Sequence, residues 1–524
     1  MISVIILNFL LFILGANAYK ILVIYPTPCL SHQRGIMALT ETLVQQGHEL
    51  FVISPYKAPG LMNSGNYTFV DVPTPMLRDF LEEDAINMTR QFSLWRLKKS
   101  FPLLATVTVK QFLSEHLAEF KKHVDSKKLK FDVAIVEAYL IPFTYAMARL
   151  LGGAVPIVSM SSFNTENVEN YLGSITHPSF VPSYFSSYTD KMDLMEKLYN
   201  WISYKYFSYS LESVFEKASK RFFMETYGSE FESLVDRCWT DVSLLISTSN
   251  PLYFYPRALG PNVIQVGPLH LKPPVELPKV LKDWLDGADK GVIYFSFGSN
   301  FKTTYLSRDA RNNFLRFFRE LPSGYRILWK WEQDGQISGQ SDNILTQKWM
   351  PQDSVLAHPK VRVFITQGGL QSFQEAVHYA VPTIGIPLTH DQITNVAKMV
   401  DAQIGVQLLL EELHVFENVE RALKKVLYNE SYAHNMRKYS AISRDFSSQA
   451  LDKAVFWVEH VAKHGGAQHL RPETADTNLF QLFCLDIISV ILVFCFALLL
   501  VICSIFMFVA SMIFGRSNIK KKKE

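Results

Sequence analysis

The sequence predicts an α/β chain of two facing Rossmann-like domains, followed by one transmembrane helix. Three observations lead there. Strand-length apolar runs alternate with helical stretches in two separate series, a proline-rich break divides the series, and a long run without charge stands near the C-terminus. The chain has 524 residues, 48% of them apolar and 13% aromatic, enough to bury two or three ordinary cores.

The first eighteen residues, MISVIILNFLLFILGANA, are an apolar run ending in Ala16-Asn17-Ala18. This small-x-small ending marks a signal peptide over 1–18, cleaved after Ala18. From residue 19 the first series begins. KILVIYP is a strand, a helix follows from about Ser31 to Gln46, and Gly47-His48 turns the chain into a second strand, ELFVISP. Connections this short imply parallel strands. FDVAIVEAYL and AVPIVSMSS continue the pattern within a first domain spanning 19–268. A stretch from about Ser183 to Asp236, rich in Tyr and Phe, reads as helices lining an apolar cavity.

GPLHLKPPVELP carries four prolines in twelve residues, so no regular element runs through it, and 269–285 is the expected linker. The second series, GVIYFSFGS, YRILWKW, RVFITQGG and VPTIGIPL, builds a second domain over 286–465. In sheets of this kind ligands sit at the carboxyl ends of the strands, so the loops after those strands are the expected site. The segment 487–514 holds no charged residue and is long enough to span a bilayer. The basic tail 515–524, GRSNIKKKKE, belongs on the cytosolic side by the positive-inside rule, which leaves the body lumenal. Lys521 and Lys522, four and three residues from the end, match the dilysine signal that returns type I proteins to the endoplasmic reticulum. Three sequons, at Asn66, Asn87 and Asn429, are expected to be glycosylated there.

Lys and Arg total 52 against 49 acidic residues, and the net charge of +3 is too small and dispersed for a nucleic-acid surface. The expected ligand is a small or membrane-derived molecule. The five cysteines include no CxxC pair and outline no zinc site, and a bridge between Cys29 and Cys238 stays open.

The most informative stretch is WMPQDSVLAHPKVRVFITQGGLQSFQEAVHYAVPTIGIPLTHDQ, from Trp349 to Gln392. A strand runs into Gly368-Gly369 and then a helix, so free amides and the positive helix end converge where a diphosphate fits. The segment resembles the donor-binding signature of the UDP-glycosyltransferase family, and the likeness extends more weakly over nearly all of the mature chain. The resemblance implies the two-domain GT-B fold and an inverting transfer of a sugar from a UDP-sugar to a hydroxyl of a small lipophilic acceptor. By the same resemblance Trp349 stacks on uracil, Gln352 bonds the uridine and Glu375 accepts the ribose hydroxyls. Ser372, Gly368 and Gly369, with Gly298 and Ser299 of FSFGSN, hold phosphate, and Asp391 and Gln392 bind the sugar. Gln367 and Gln371 stand where many relatives have His and Asn. Gln367 can donate to phosphate but brings no cation.

On the acceptor side His32, in Ser31-His32 after the first strand, matches the family's general base. A helix N-terminus keeps its ring neutral and able to take a proton. Glu137 matches the orienting acid, with Glu where many relatives have Asp. No metal and no cofactor is expected, UDP-sugar being a co-substrate. Ser247 stands where glucuronosyl-transferring members tend to place Arg, which points to glucose. A lipid or sterol glycosyltransferase, a catalytically silent ligand-binding homologue, and homo- or hetero-oligomers remain alternatives at this stage.

Overall fold

Seven strands, β1 (Lys20–Ile24), β2 (Glu49–Ser54), β3 (Tyr67–Asp71), β4 (Val133–Glu137), β5 (Ile157–Ser161), β6 (Leu244–Ser247) and β7 (Val263–Gln265), form one parallel sheet in the order 3-2-1-4-5-6-7. Six more, β8 (Gly291–Ser296), β9 (Tyr325–Lys330), β10 (Ile344–Gln347), β11 (Val361–Thr366), β12 (Thr383–Gly385) and β13 (Gly405–Gln407), form a second in the order 10-9-8-11-12-13. Every strand pair is parallel. This is a computed structural model, and it describes residues 18–73, 94–163, 166–184, 186–299, 301–389 and 391–520. The signal segment, Asn87, and Lys521 with Lys522 lie outside the described residues.

Helices on both faces exclude water from these sheets, so strands such as VAIVE and GVIYFS are buried along their whole length. That is why they read as continuous apolar runs. On one face of the first sheet Leu22, Ile24, Ala134 and Val136 meet Phe143, Phe215 and Phe223; on the other, Ile21, Val23 and Ile135 meet Ile36, Leu39 and Leu43. The second sheet is covered in the same way, with Ile293, Phe295 and Trp329 on one face and Val292, Tyr294 and Phe364 on the other.

The helices that matter to the site are α1 (Leu30–Gln45), α2 (Leu194–Tyr227), α3 (Gln352–Leu356), α4 (Leu370–His378), α5 (Gln392–Asp401) and α6 (Ala450–His464). Three departures from the sequence reading arise from tertiary packing. The stretch 183–236 contains one 34-residue helix, α2, started by an Asp193–Glu196 capping box. Its Phe215, Phe222 and Phe223 enter the core, while Phe207 and Leu211 line a recess. The expected linker 269–285 ends in a helix, Lys279–Asp286, whose Leu281 and Leu285 pack under the second sheet. Helix α6 belongs by sequence to the second half, yet it packs against α1, β4 and β5 of the first, its Ala454, Val455, Val458 and Val461 joining Leu43, Ile135 and Val158 in one apolar cluster. His48, fully buried, is bonded through Nε2 to Glu459 of α6 at 2.9 Å.

Residues 472–524 form a separate unit. It contains the helix Leu485–Lys520, and Leu485–Ile513 is long and apolar enough to cross a membrane, the one such segment among the described residues.

Candidate active site

The loops after β1, β8, β11 and β12 open into a cleft of about 340 Å³ between the two sheets. An apolar cluster joins the halves beside it: Phe163, Tyr253 and Phe254 from the first meet Leu370, Phe373, Val396 and Met399 from the second. His32, Gly298, Ser299, Trp349, Gln352, Gln367, Gly369, Gln371, Ser372, Glu375, Asp391 and Gln392 all line the cleft. Cys29 and Cys238 are free thiols.

His32 is the third residue of α1, so it sits in the positive first turn, with its ring 5.0 Å from that of Phe163. Glu137 ends β4 and is 1% exposed. Thr27 N–H donates to Glu137 Oε2 at 2.9 Å. The other oxygen, Oε1, lies 3.9 Å from His32 Nδ1, and neither of these two atoms has another hydrogen-bond partner. The pair is brought together but is too far apart for a hydrogen bond. A shift of about 1 Å closes it, in keeping with catalytic bonds that tighten only in the substrate complex.

The donor side rests on α4 and the turn before it. Gly368 has φ +83°, and a Cβ there would lie 2.4 Å from Val396 Cγ2, so only glycine fits. Gly298, at φ +74°, leaves room for Gln367 Nε2, which would stand 2.7 Å from a Cβ. Trp349 is 63% exposed, its face open for stacking, with Lys330 Nζ 5.7 Å from the ring centroid. Gln352 Nε2 donates to Ser372 Oγ at 3.0 Å and to Glu375 Oε2 at 2.6 Å. Burial pushes the Asp391 carboxyl above its usual range, opposed by Asn395 and by nearby His32 across the cleft.

Several assigned groups also have structural work. Gly368 N–H donates to Thr366 Oγ1 at 3.2 Å and Leu370 N–H to Asp391 Oδ2 at 3.3 Å. Gln392 Oε1 accepts from Leu388 and Thr389 N–H, closing its own loop. Gln371 Nε2 donates to the Ser31 carbonyl, tying α4 to the turn that carries His32. Ser247 is buried at the end of β6 and is not among the residues lining the cleft.

Sequence reasoning missed four residues. Arg34, two residues after His32, donates to Glu375 Oε1 at 2.6 Å and to Asp353 Oδ2 at 2.7 Å. Burial, with Glu375 second, pushes the Asp353 carboxyl up to about 6. His270 Nε2 lies 3.4 Å from Glu375 Oε1, and burial followed by Arg34 pushes this imidazole down to about 3. Lys330 lines the cleft and pairs with Glu332 at 3.0 Å. Asp353 was legible as the neighbour of Gln352, and Arg34 as the neighbour of the base. Beside His32 a small apolar recess is lined by Tyr139, Phe163, Tyr184, Phe207, Leu211 and Trp239.

Two parallel sheets with a cleft at their carboxyl edges are the arrangement of the GT-B fold. Solved structures agree on the fold. A UDP-glucosyltransferase from Polygonum tinctorium superimposes with a TM-score of 0.58 at 15% identity, over 86% of this chain and 99% of that one. The calicheamicin glycosyltransferase CalG4 gives 0.55 at 15% identity over 86% and 99%. The family described as UDP-glucoronosyl and UDP-glucosyl transferase matches residues 19–523, and the chain belongs to it. It is 30% identical over 502 residues to UDP-glycosyltransferase UGT5 of Dactylopius coccus, covering 94% of this chain and 92% of that protein. It is also 30% identical to UDP-glucuronosyltransferase 2B7 of Homo sapiens, over 88% of each. The protein is thus a UDP-glycosyltransferase, which moves a sugar from a UDP-sugar to a small acceptor.

Proposed function

We propose that the sugar is glucose and that the acceptor is a small lipophilic hydroxyl compound held in the recess beside His32. The observation that carries the sugar is the state of the cations. Arg34 and Lys330, the Lys and Arg lining the cleft among the described residues, are both committed to carboxylates. A glucuronate carboxylate needs a cation of its own. Competition assays at equal concentration should therefore favour UDP-glucose over UDP-glucuronic acid, and a preference for the acid overturns this reading. Some relatives are named as glucuronosyltransferases, which makes that comparison the informative one.

In the proposed reaction the acceptor oxygen attacks the anomeric carbon opposite UDP. The new C–O bond forms as the bond to the diphosphate breaks and its electron pair leaves with UDP. The acceptor proton passes to the ring nitrogen of His32 that faces away from Glu137, and an α-linked donor becomes a β-glycoside. Ser372, Gln367 and the α4 N-terminus bear the diphosphate charge, and the proposal requires no metal.

We further propose an endoplasmic-reticulum protein with a lumenal body, anchored by Leu485–Ile513. Glycosylation tests this. Asn429 is exposed at a helix N-cap, whereas Asn66 Nδ2 donates to the Val44 and His48 carbonyls at 3.1 and 2.8 Å. Asn429→Gln should remove an endoglycosidase-sensitive gel shift. Asn66→Gln should leave the shift unchanged but destabilise the protein. The absence of any glycan on Asn429 would contradict a lumenal body.

A further inference from the structure

Arg34 does something the transfer reaction does not require. It extends from α1, on the half that carries the base, to two acids of the half that holds the donor. The Arg34 side chain is 31% exposed, that of Glu375 0% and that of Asp353 24%. With Arg34 on Oε1 and Gln352 on Oε2, both oxygens of Glu375 have a donor. Behind Oε1 stands His270, which does not line the cleft. The two groups holding this carboxylate from the cleft side are thus an amide assigned to the uridine and a cation with no assigned role.

We propose that Arg34 is the gate of the ribose site: it occupies Glu375 in the empty enzyme, and the ribose hydroxyls of the donor take its place. This rests on the reading of Glu375 as the ribose acceptor. When displaced, Arg34 keeps Asp353, so its charge is never left unpaired. Glu375 exchanges its bond from a cation for bonds from a diol, so its carboxylate is never left without a donor. The exchange works in both directions. It lowers the donor's apparent affinity by the fraction of sites that Arg34 holds closed, and it speeds the departure of UDP by restoring the ion pair. The gate therefore selects on the ribose. A nucleotide lacking those hydroxyls gains nothing from Glu375 and has no group with which to displace Arg34.

The test is calorimetric binding of UDP and of 2′,3′-dideoxy-UDP to wild-type protein and to Arg34→Met and Arg34→Lys. The two ligands share one diphosphate, so any change in phosphate attraction cancels in the ratio of their dissociation constants. The expected wild-type ratio favours UDP. In Arg34→Met the preference should grow by roughly tenfold, the value for a site open about one tenth of the time. Arg34→Lys retains the charge but cannot fork between the two acids, and should fall between. An unchanged or smaller ratio in both variants overturns the gate. A ratio of one in Arg34→Met, where no arginine covers Glu375, overturns the assignment of Glu375 itself, whereas a ratio above one that is no larger than in the wild type overturns the gate alone, so the two failures are distinguishable.

Discussion

His32→Ala is expected to lower turnover by roughly 10²- to 10⁴-fold while UDP binds as before, because the lost group is the proposed base and the proposed nucleotide contacts lie on the other half. Single-turnover rates beside UDP titrations measure both quantities. Glu137 acts only through the imidazole. Its Oε2 is already held by Thr27, and Oε1, which has no hydrogen-bond partner, lies 3.9 Å from His32 Nδ1. Glu137→Ala therefore costs less than His32→Ala, and the double variant is no worse than the His32 variant alone. Additive losses would show two residues working independently. A fall in UDP affinity equal to the fall in rate would place His32 in the donor site and not in proton transfer.

Glu375→Ala is expected to weaken UDP by about one to two orders of magnitude, since hydrogen bonds to a charged acceptor are worth ~1.5–3 kcal/mol. The buried carboxylate is approached by Arg34, Gln352 and His270. Truncation thus also leaves Gln352 with Ser372 as its remaining acceptor. The loss should appear for UDP and UDP-glucose alike and be nearly absent for 2′,3′-dideoxy-UDP. An equal loss for the dideoxy nucleotide would mean that the variant has disordered the loop.

The parallel strands were legible because both faces of each sheet are buried. FDVAIVEAYL and GVIYFSFGS need no alternation of polar and apolar residues to be recognised. The turn between β11 and α4 was legible for a different reason: Gly368 adopts φ +83° against Val396, and a tight strand-to-helix turn leaves its mark in the sequence, while the donor roles were expected from the resemblance of the whole segment. The pairs across the cleft leave no such mark. Nothing near Arg34 announces that its partners are 319 and 341 residues away, and nothing near Gln371 announces Ser31. Ser247 shows the converse error. It stands where glucuronosyl-transferring members tend to place Arg, and its position along the chain did not reveal that it is buried at the end of β6, outside the residues that line the cleft. Helix α6 was misplaced because amphipathic periodicity says that a helix has a core face, not whose core it meets.

That crossing has a mechanical result. The chain passes from the first half to the second through 269–285 and returns to the first in α6, so the halves are held by two covalent straps instead of one. A single strap permits swivelling; two restrict relative motion to opening and shutting about the line that joins them. The same geometry governs how the protein can be cut. A fragment ended before residue 450 would expose the apolar surface of α1, β4 and β5, around Leu43, Ile135 and Val158, that α6 covers. A first half intended to stand alone, or to be exchanged with that of a relative, must therefore be joined to 450–464 as a second piece.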